Sequence, residues 1–408
     1  MILAPIDQAL LDGEHGPAAR RAMEILLRYG EVSEAERFIP IGSAHIDGCL
    51  YHGPSSIDFV KRFVDLGGRV RVPTTLNVAA VDTVHPGWHC GPPEILDAQR
   101  ELTELHERLG CLATLTCAPY QRIARPLPGE DVAWAESNAI VFVNSVLGAR
   151  TDRYGDFADL CAALTGRVPL AGLHIQANRR PRAIVELPAA IDMPRDLLFG
   201  AIGYVVGERL RGEVTFIRGL PADAHEDELK ALGASGASGG AMALFHADGI
   251  TPEADWAAAL TDDLPILRID TAALHAAVET LCPVAPGEAV AAVCLGTPHF
   301  SIDEFRGLNA AIAGRARAPA TEVYVSTSRA IAAMVDSDPA FAPLRAYGAK
   351  IVVDTCTYLA PVVRERDGAI LTNSVKYAHY GPGNLGRRIG LMTLERCLRS
   401  AETGRVTA

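Results

Sequence analysis

The sequence runs to 408 residues, 49% of them hydrophobic and 21% charged, with a formal net charge of −11; that is a globular composition with enough apolar material for roughly two or three packed domains. The acidic balance disfavours a nucleic-acid partner, because holding a polyphosphate requires clustered Lys and Arg. No stretch reaches the ~18 consecutive apolar residues of a membrane span, and the opening MILAPIDQALLDGEHG lacks the basic start of a secretory leader, so no membrane association and a cytoplasmic location are expected.

In chain order, AARRAMEILLRYGEV carries apolar residues at helical spacing and is followed by a β-like run, RFIPIGSAHIDG. Next come a helix in SSIDFVKRFVDLGG, with Ser55 or Ser56 as its expected cap, and an extended RVRVPTTLNVA. A long helix in PPEILDAQRELTELHERLG leads into a strand expected in CLATLTCAPY. The rhythm returns in DELKALGASGASGGAMALFHADGITPE, PGEAVAAVCLGTPHFSIDEF, ATEVYVSTSRAIAAMV and LRAYGAKIVVDTCTYLAP. Alternation of this kind predicts an α/β fold with mostly parallel, helix-flanked sheets, whose ligands gather where strands end. Those strand ends should bring His246, His299, Ser326 and Cys356 to one rim. The segment 185–225 is the best boundary between lobes, giving a first lobe 1–200 and a second 201–408.

The nine cysteines are odd in number, widely spread and never spaced C-x-x-C, which argues against a disulfide framework, a zinc ribbon or a thioredoxin-type site. HPGWHC crowds His85, His89 and Cys90, but Pro86 and Gly87 prevent the helix that would align the two histidines, so a metal there is disfavoured. GASGASGGA has the spacing of neither a dinucleotide fingerprint nor a P-loop and reads as close packing of small residues.

Several polar groupings could carry chemistry. In IGSAHIDG, Ser43, His45 and Asp47 alternate, placing all three on one face of an extended segment. Thr74, Thr75 and Asn77 of PTTLN could hold a carboxylate or turn the backbone. In AESNAIVFVNSVLGAR, Glu136, Ser137, Asn138 and Asn144 flank an apolar run, with Ser137 as a candidate helix cap. Arg179 and Arg180 form either a fork for a carboxylate or phosphate or an exposed surface pair.

In order along the chain, SAHIDG, VPTTLN, TCAPY, VAWAESNAIVFVNSVLGART, NRRP, GASGASGGAMALFHADGITPE, PHFS, VDTC and TNSVKYAHYGPG closely resemble the aconitase X family, nearly end to end. The resemblance implies an aconitase-like, multi-lobed α/β catalytic part and an iron–sulfur hydro-lyase acting on a small hydroxy acid. Bacterial members dehydrate cis-3-hydroxy-L-proline and archaeal ones mevalonate 5-phosphate. It further implies Cys117 and Cys356 as iron ligands; the third family cysteine stands in a GCPH element where this chain has Thr297. Two irons, a 2Fe-2S cluster, are therefore preferred to four, with Asn144, His299 or Cys294 supplementing the thiolates. If 294–297 is extended, the odd offset sends Cys294 to the face opposite Thr297.

A small swivelling domain completes the catalytic part in the family, so the resemblance implies a small partner subunit carrying a serine base. His45 and Asp47 are expected in leaving-group or acid–base work, and Ser43, Thr74, Thr75, Asn77, Glu136, Ser137 and Arg179 around the substrate. Lys376 and His379 should close the pocket. Two rivals remain at this point: a non-catalytic iron sensor or scaffold, and a zinc hydrolase centred on His85 and His89.

Overall fold

A computed structural model describes residues 1–315 and 318–408. Its first part holds β1 (Phe38–Pro40), β2 (Ala44–Ile46), β3 (Thr74–Leu76), β4 (Ala133–Trp134) and β5 (Arg167–Pro169). β3, β2 and β4 form a parallel sheet in that order, while β1 and β5 pair antiparallel. Helix Pro17–Val32 begins with proline at its first turn, where the missing N–H has no intrahelical partner to lose. Its buried Ala18, Ala22, Leu26 and Gly30 recur every four residues and turn one stripe toward the core.

Two local expectations fail here for visible reasons. Helix Pro54–Asp65 is capped by Gly53, because Pro54 starts it early enough to draw Ser55 and Ser56 into the first turn. The segment 111–120 makes only a single bridge, Leu112 to Thr75, and the left-handed Leu115 (φ 43°) ends the extended run before a ladder can form.

The middle of the chain builds a second parallel sheet from β6 (Ala183–Glu186), β7 (Thr215–Arg218), β8 (Phe245–Ala247) and β9 (Ile266–Arg268), ordered β8-β7-β6-β9. Helices Arg195–Leu210 and Glu226–Gly240 pack on each other almost backbone to backbone. A Cβ on Gly207 would sit 2.4 Å from the Gly236 carbonyl oxygen, so the glycine-rich stretch is a packing device, as the sequence suggests. The expected lobe boundary at residue 200 falls inside the first of these helices, between strands that pair with one another.

The last third forms a five-stranded parallel sheet from β10 (Val290–Phe300), β11 (Val323–Thr327), β12 (Lys350–Val353), β13 (Ala369–Thr372) and β14 (Ile389–Leu391), ordered β12-β11-β10-β13-β14. From β10 the chain winds outward in one direction and then returns to β13 on the other side. The crevice beyond the carboxyl ends of β10 and β13 is thus a topological switch point, where open α/β sheets bind ligands. One apolar cluster joins this sheet to the first, containing Val78 and Cys117 from the early chain and Cys294, Cys356, Tyr358 and Tyr377 from the late chain. His246 lies on β8 in the other sheet, its Nε2 2.8 Å from the Arg179 carbonyl, so it does not share a rim with His299. No helix among the described residues is long and apolar enough to cross a membrane.

Candidate active site

A cavity of about 270 Å³ opens where the carboxyl ends of the first and third sheets meet. Asp47 follows β2, Asn77 and Val78 follow β3, and Glu136 and Ser137 follow β4. From the other side come Thr297 and Pro298 at the end of β10, Cys356 and Tyr358 beyond β12, and Lys376, Tyr380 and Asn384 on the helix after β13.

Glu136 has left-handed backbone (φ 75°) and caps helix Ser137–Ser145, its Oε2 accepting the Ala139 N–H at 2.8 Å. Glu136, not Ser137, is therefore the cap. The Lys376 ammonium donates to Glu136 Oε1 at 2.6 Å and to Ser137 Oγ at 3.3 Å. Burial alone would raise the Glu136 carboxyl, but the Lys376 charge and the hydrogen bonds overcome it and hold the group below the usual carboxylate range. Lys376 is likewise held in its charged form: burial opposes the charge, and Glu136 more than offsets it.

Asp47 has the opposite fate. Burial, reinforced by the charges of Glu136 and Asp156, pushes it up to about 7 despite a short hydrogen bond from Asn77 Nδ2. Its own N–H is held by Asp159 Oδ2 at 2.7 Å, which fixes the turn carrying it. Two carboxyls in one cavity are thus driven apart, Glu136 ionised and Asp47 able to carry a proton near neutrality; environments separated in this way are how acid and base roles are assigned.

Cys117 and Cys356 line the cavity, and their sulfurs and a ring nitrogen of His299, which does not line it, lie within 4.8 Å of one another, all three residues buried. No other group of three or more His, Cys, Asp or Glu side chains among the described residues is compact enough to hold a metal. The neighbouring Cys117 thiol and then burial push the Cys356 thiol well up. Two adjacent buried thiols, the Cys117 sulfur receiving the His299 N–H at 3.3 Å, suit a thiophilic iron centre. Thr297 adds a buried hydroxyl with no partner to the same cavity.

Of the expected site residues, Asp47, Asn77, Cys117, Glu136, Ser137, Cys356 and Lys376 line the cavity. The others do not. Ser43 stands at the opposite end of β2 from Asp47, accepting from Trp134 Nε1 at 3.2 Å, because alternation shares a face but not a strand end. His45 is buried behind the cavity with Nδ1 2.8 Å from Thr75 Oγ1, and burial lowers it to about 4. Thr74 bonds its own strand's entry at Val72. Arg179 is wholly buried and paired with Glu253, and its remaining donors go to Asn144 and to carbonyls of the Leu173 and Asn144–Ala149 stretches, leaving none for a substrate. Asn144 is no metal ligand: its amide donates to Thr151 and Ala243, and its oxygen accepts from Thr151 and Arg179. Cys294 turns toward Tyr377 and Thr357, and burial raises it to about 11. His379 packs against Tyr204 and Tyr380 instead of facing the cavity. At the rival site, His85 binds Asp82 and stacks on Trp88, whereas His89 binds the Pro92 carbonyl, so the pair has no shared target for zinc.

Sequence reasoning missed Tyr358, Tyr380 and Asn384. The signal was available: Lys376, Tyr380 and Asn384 are four residues apart and share one helix face.

Parallel sheets that meet around a cavity walled by two thiols and bearing two carboxyls are equipped for acid–base chemistry beside a metal, and the proteins this chain is similar to are dehydratases, carbon–oxygen lyases of the aconitase superfamily. Family profiles described as aconitase X first, second and third domain match residues 1–177, 181–279 and 290–403. A cis-3-hydroxy-L-proline dehydratase of Pseudomonas aeruginosa is 40% identical over 415 residues, spanning 100% of this chain and 71% of that protein. The phosphomevalonate dehydratase large subunit of Thermococcus kodakarensis is 34% identical, spanning 93% of this chain and 95% of its own length. The crystal structure of the Thermococcus kodakaraensis aconitase X holo-form superposes with a TM-score of 0.88 at 32% identity, covering 98% of this chain and 100% of that one. The chain belongs to the aconitase X family.

Proposed function

We propose that the chain is the catalytic part of a cis-3-hydroxy-L-proline dehydratase. The observation that carries this reading is the charge balance of the cavity: Asp47 and Glu136 face it with Lys376 as the single cation among its lining residues, and Lys376 is already engaged. Such a site suits a compact amino acid whose ammonium lies near carboxylates and whose one carboxylate meets Lys376 and Ser137. It offers little to a phosphate dianion, and the Arg pair that could have served one is unavailable, Arg179 being committed to Glu253. The 40% identity to two proteins named for that activity, from Pseudomonas aeruginosa and Hypocrea jecorina, supports the same substrate.

In this mechanism the proton α to the carboxylate leaves to a base, its electron pair becomes the C2–C3 double bond, and the C3–O bond breaks. Asp47 donates its proton to the departing oxygen, so water leaves rather than hydroxide. Lys376, held in its charged form by Glu136, and the Ser137 hydroxyl stabilise the charge growing on the substrate carboxylate. Asn77 orients Asp47. The product enamine tautomerises to a cyclic imine, a pyrroline carboxylate.

Cys117 and Cys356 would hold an iron–sulfur cluster, preferably 2Fe-2S, with an oxygen or nitrogen donor in the remaining position. When bound, a cluster with an open iron supplies Lewis-acid assistance to the leaving hydroxyl. The base would come from a serine on a small swivelling subunit. That part of the proposal is supported by the near-complete coverage of archaeal proteins named as large subunits and by the greater length of the Pseudomonas aeruginosa protein.

Anaerobic assays of both substrates decide between them, reading imine formation from cis-3-hydroxy-L-proline and formation of the unsaturated acid from mevalonate 5-phosphate. Turnover of cis-3-hydroxy-L-proline, and none of mevalonate 5-phosphate, is expected from the chain with its small subunit; the reverse preference overturns the proposal.

A further inference from the structure

His299 has the position of a ligand but the hydrogen bonds of something else. Its Nε2 lies 3.1 Å from the Thr355 carbonyl oxygen, which can only accept, so Nε2 carries the ring proton. Nδ1 is then the bare nitrogen, and the Thr116 hydroxyl occupies it at 2.9 Å. The backbone is committed as well: the N–H points to Cys117 Sγ at 3.3 Å, and the carbonyl accepts from Gln121 Nε2 at 3.0 Å and Lys230 Nζ at 3.3 Å. Binding iron would require Nδ1 to give up Thr116 or Nε2 to lose both its proton and Thr355.

The two ring partners have a particular place in the chain. Thr116 immediately precedes Cys117, and Thr355 immediately precedes Cys356. One imidazole therefore spans the residues just before both thiols, one from each side of the cavity. Cys117 has need of such a tie, since its segment belongs to no strand and passes through left-handed Leu115. Its other supports come from the first part of the chain and do not reach the Cys356 segment: Thr114 Oγ1 accepts the Leu76 N–H at 3.0 Å and donates to the Leu76 carbonyl at 2.8 Å, the Thr116 N–H donates to the Leu76 carbonyl at 3.2 Å, and the Asn138 amide donates to the Cys117 carbonyl at 2.9 Å.

We propose that His299 is a positioning brace and not an iron ligand: its ring locks Thr116 to Thr355 and thereby sets the separation of the Cys117 and Cys356 thiols. The inference rests on those two cysteines holding the cluster. Partners that orient ligands typically change metal affinity by roughly 10- to 100-fold when removed.

The test uses the full chain, purified anaerobically with histidine labelled with nitrogen-15, and reads iron and sulfide content, iron retention against a chelator, and nitrogen hyperfine coupling in pulsed electron paramagnetic resonance of the reduced protein. The wild type should show no directly bound histidine nitrogen. Iron retention should fall by roughly 10- to 100-fold in His299→Ala, fall in the same direction in the isosteric Thr116→Val, and recover in part in His299→Gln, whose amide keeps one donor and one acceptor. Thr116→Val keeps the test decisive if the alanine variant does not fold. A strongly coupled histidine nitrogen, or wild-type iron retention in Thr116→Val, overturns the brace while leaving the cluster in place. A wild-type chain that takes up neither iron nor sulfide overturns the cluster assignment, and the brace with it.

Discussion

Replacing Lys376 by Met isolates the buried ion pair at the centre of the cavity. The Lys376 and Glu136 side chains are only 4% and 7% exposed, with Nζ 2.6 Å from Oε1. Truncating one member of such a pair leaves a buried charge without its counterpart, a loss of about 3–5 kcal/mol. Glu136 would keep its bonds from the Ala139 N–H and the Ser137 hydroxyl, which places the expected loss near the lower end, about 3 kcal/mol. The sign of its pH dependence follows from the carboxyl. In the wild type Glu136 is held below its ordinary value, so its contribution is present above the unfolded value of about 4.3 and lost as pH falls through the lower folded value. Without Lys376 burial dominates, the carboxyl rises, and its ionisation becomes a penalty at high pH. Urea midpoints followed by tryptophan fluorescence should therefore show a deficit that is large at pH 8 and smaller at pH 5. The double variant Lys376→Met with Glu136→Gln should recover much of the stability at pH 8 but none of the activity. A single variant as stable as the wild type at pH 8, or a deficit independent of pH, would refute the reasoning.

Further outcomes follow from the same geometry. With Asp47 raised to about 7 and acting as the acid, the rate should fall as pH rises through about 7; Asp47→Asn should lower kcat by about 10²- to 10⁴-fold, and a high-pH limb unchanged in the variant would count against the role. Because the folded value of Asp47 lies above the unfolded value of about 3.9, the folded state binds the extra proton between them, and stability declines across that interval; Asp47→Asn should gain on the wild type from pH 4 to pH 7, read by thermal melting. Gly207→Ala would press a Cβ to 2.4 Å from the Gly236 carbonyl oxygen, costing about 1–3 kcal/mol as the helices separate, whereas an unchanged melting temperature would show the contact to be slack. Thr297→Cys would place a thiol in the cavity wall beside Cys117 and Cys356, and iron per chain should rise above the wild-type content.

The alternation of helix and strand was enough to read an α/β fold, because helical stripes such as Ala18, Ala22 and Leu26 and apolar runs such as Val290–Leu295 depend on local spacing. What local spacing leaves open is which strands share a sheet. His246 and His299 both lie near the ends of strands, yet one joins the middle sheet and the other the last. The site follows the same division. Asp47, Asn77 and Glu136 were legible because each is the first polar side chain past a strand end. Ser43, three residues before Ile46, was misplaced because shared-face alternation says nothing about which end of a strand a cavity occupies. Arg179 and Asn144 were misread for a related reason: two conspicuous polar residues in an apolar setting can satisfy each other, and only three-dimensional proximity shows that their partners are Glu253, Thr151 and one another.

The distribution of the cavity residues also constrains how the site can work. Cys117 and the Asp47–Asn77–Glu136 group come from the first part of the chain, and Cys356 and Lys376 from the last, so neither part holds both thiols or both members of the ion pair. Their relative placement depends on ties across the gap. Arg329 clasps Asp354, two residues before Cys356, and Asp354 Oδ2 accepts from Thr83 on the opposite side at 2.6 Å. The Ala79 N–H reaches the Asp354 carbonyl at 2.6 Å, and the Asp82 carboxylate accepts the Val353 N–H at 3.2 Å. These bonds converge on one short stretch, Val353–Asp354, whose left-handed Asp354 (φ 67°) turns the chain from β12 toward the cavity. A strained residue held by two other segments is a costly way to end a strand unless the direction it imposes matters. Here that direction carries Cys356 to Cys117 and lets two sheets that share no strand enclose one reaction.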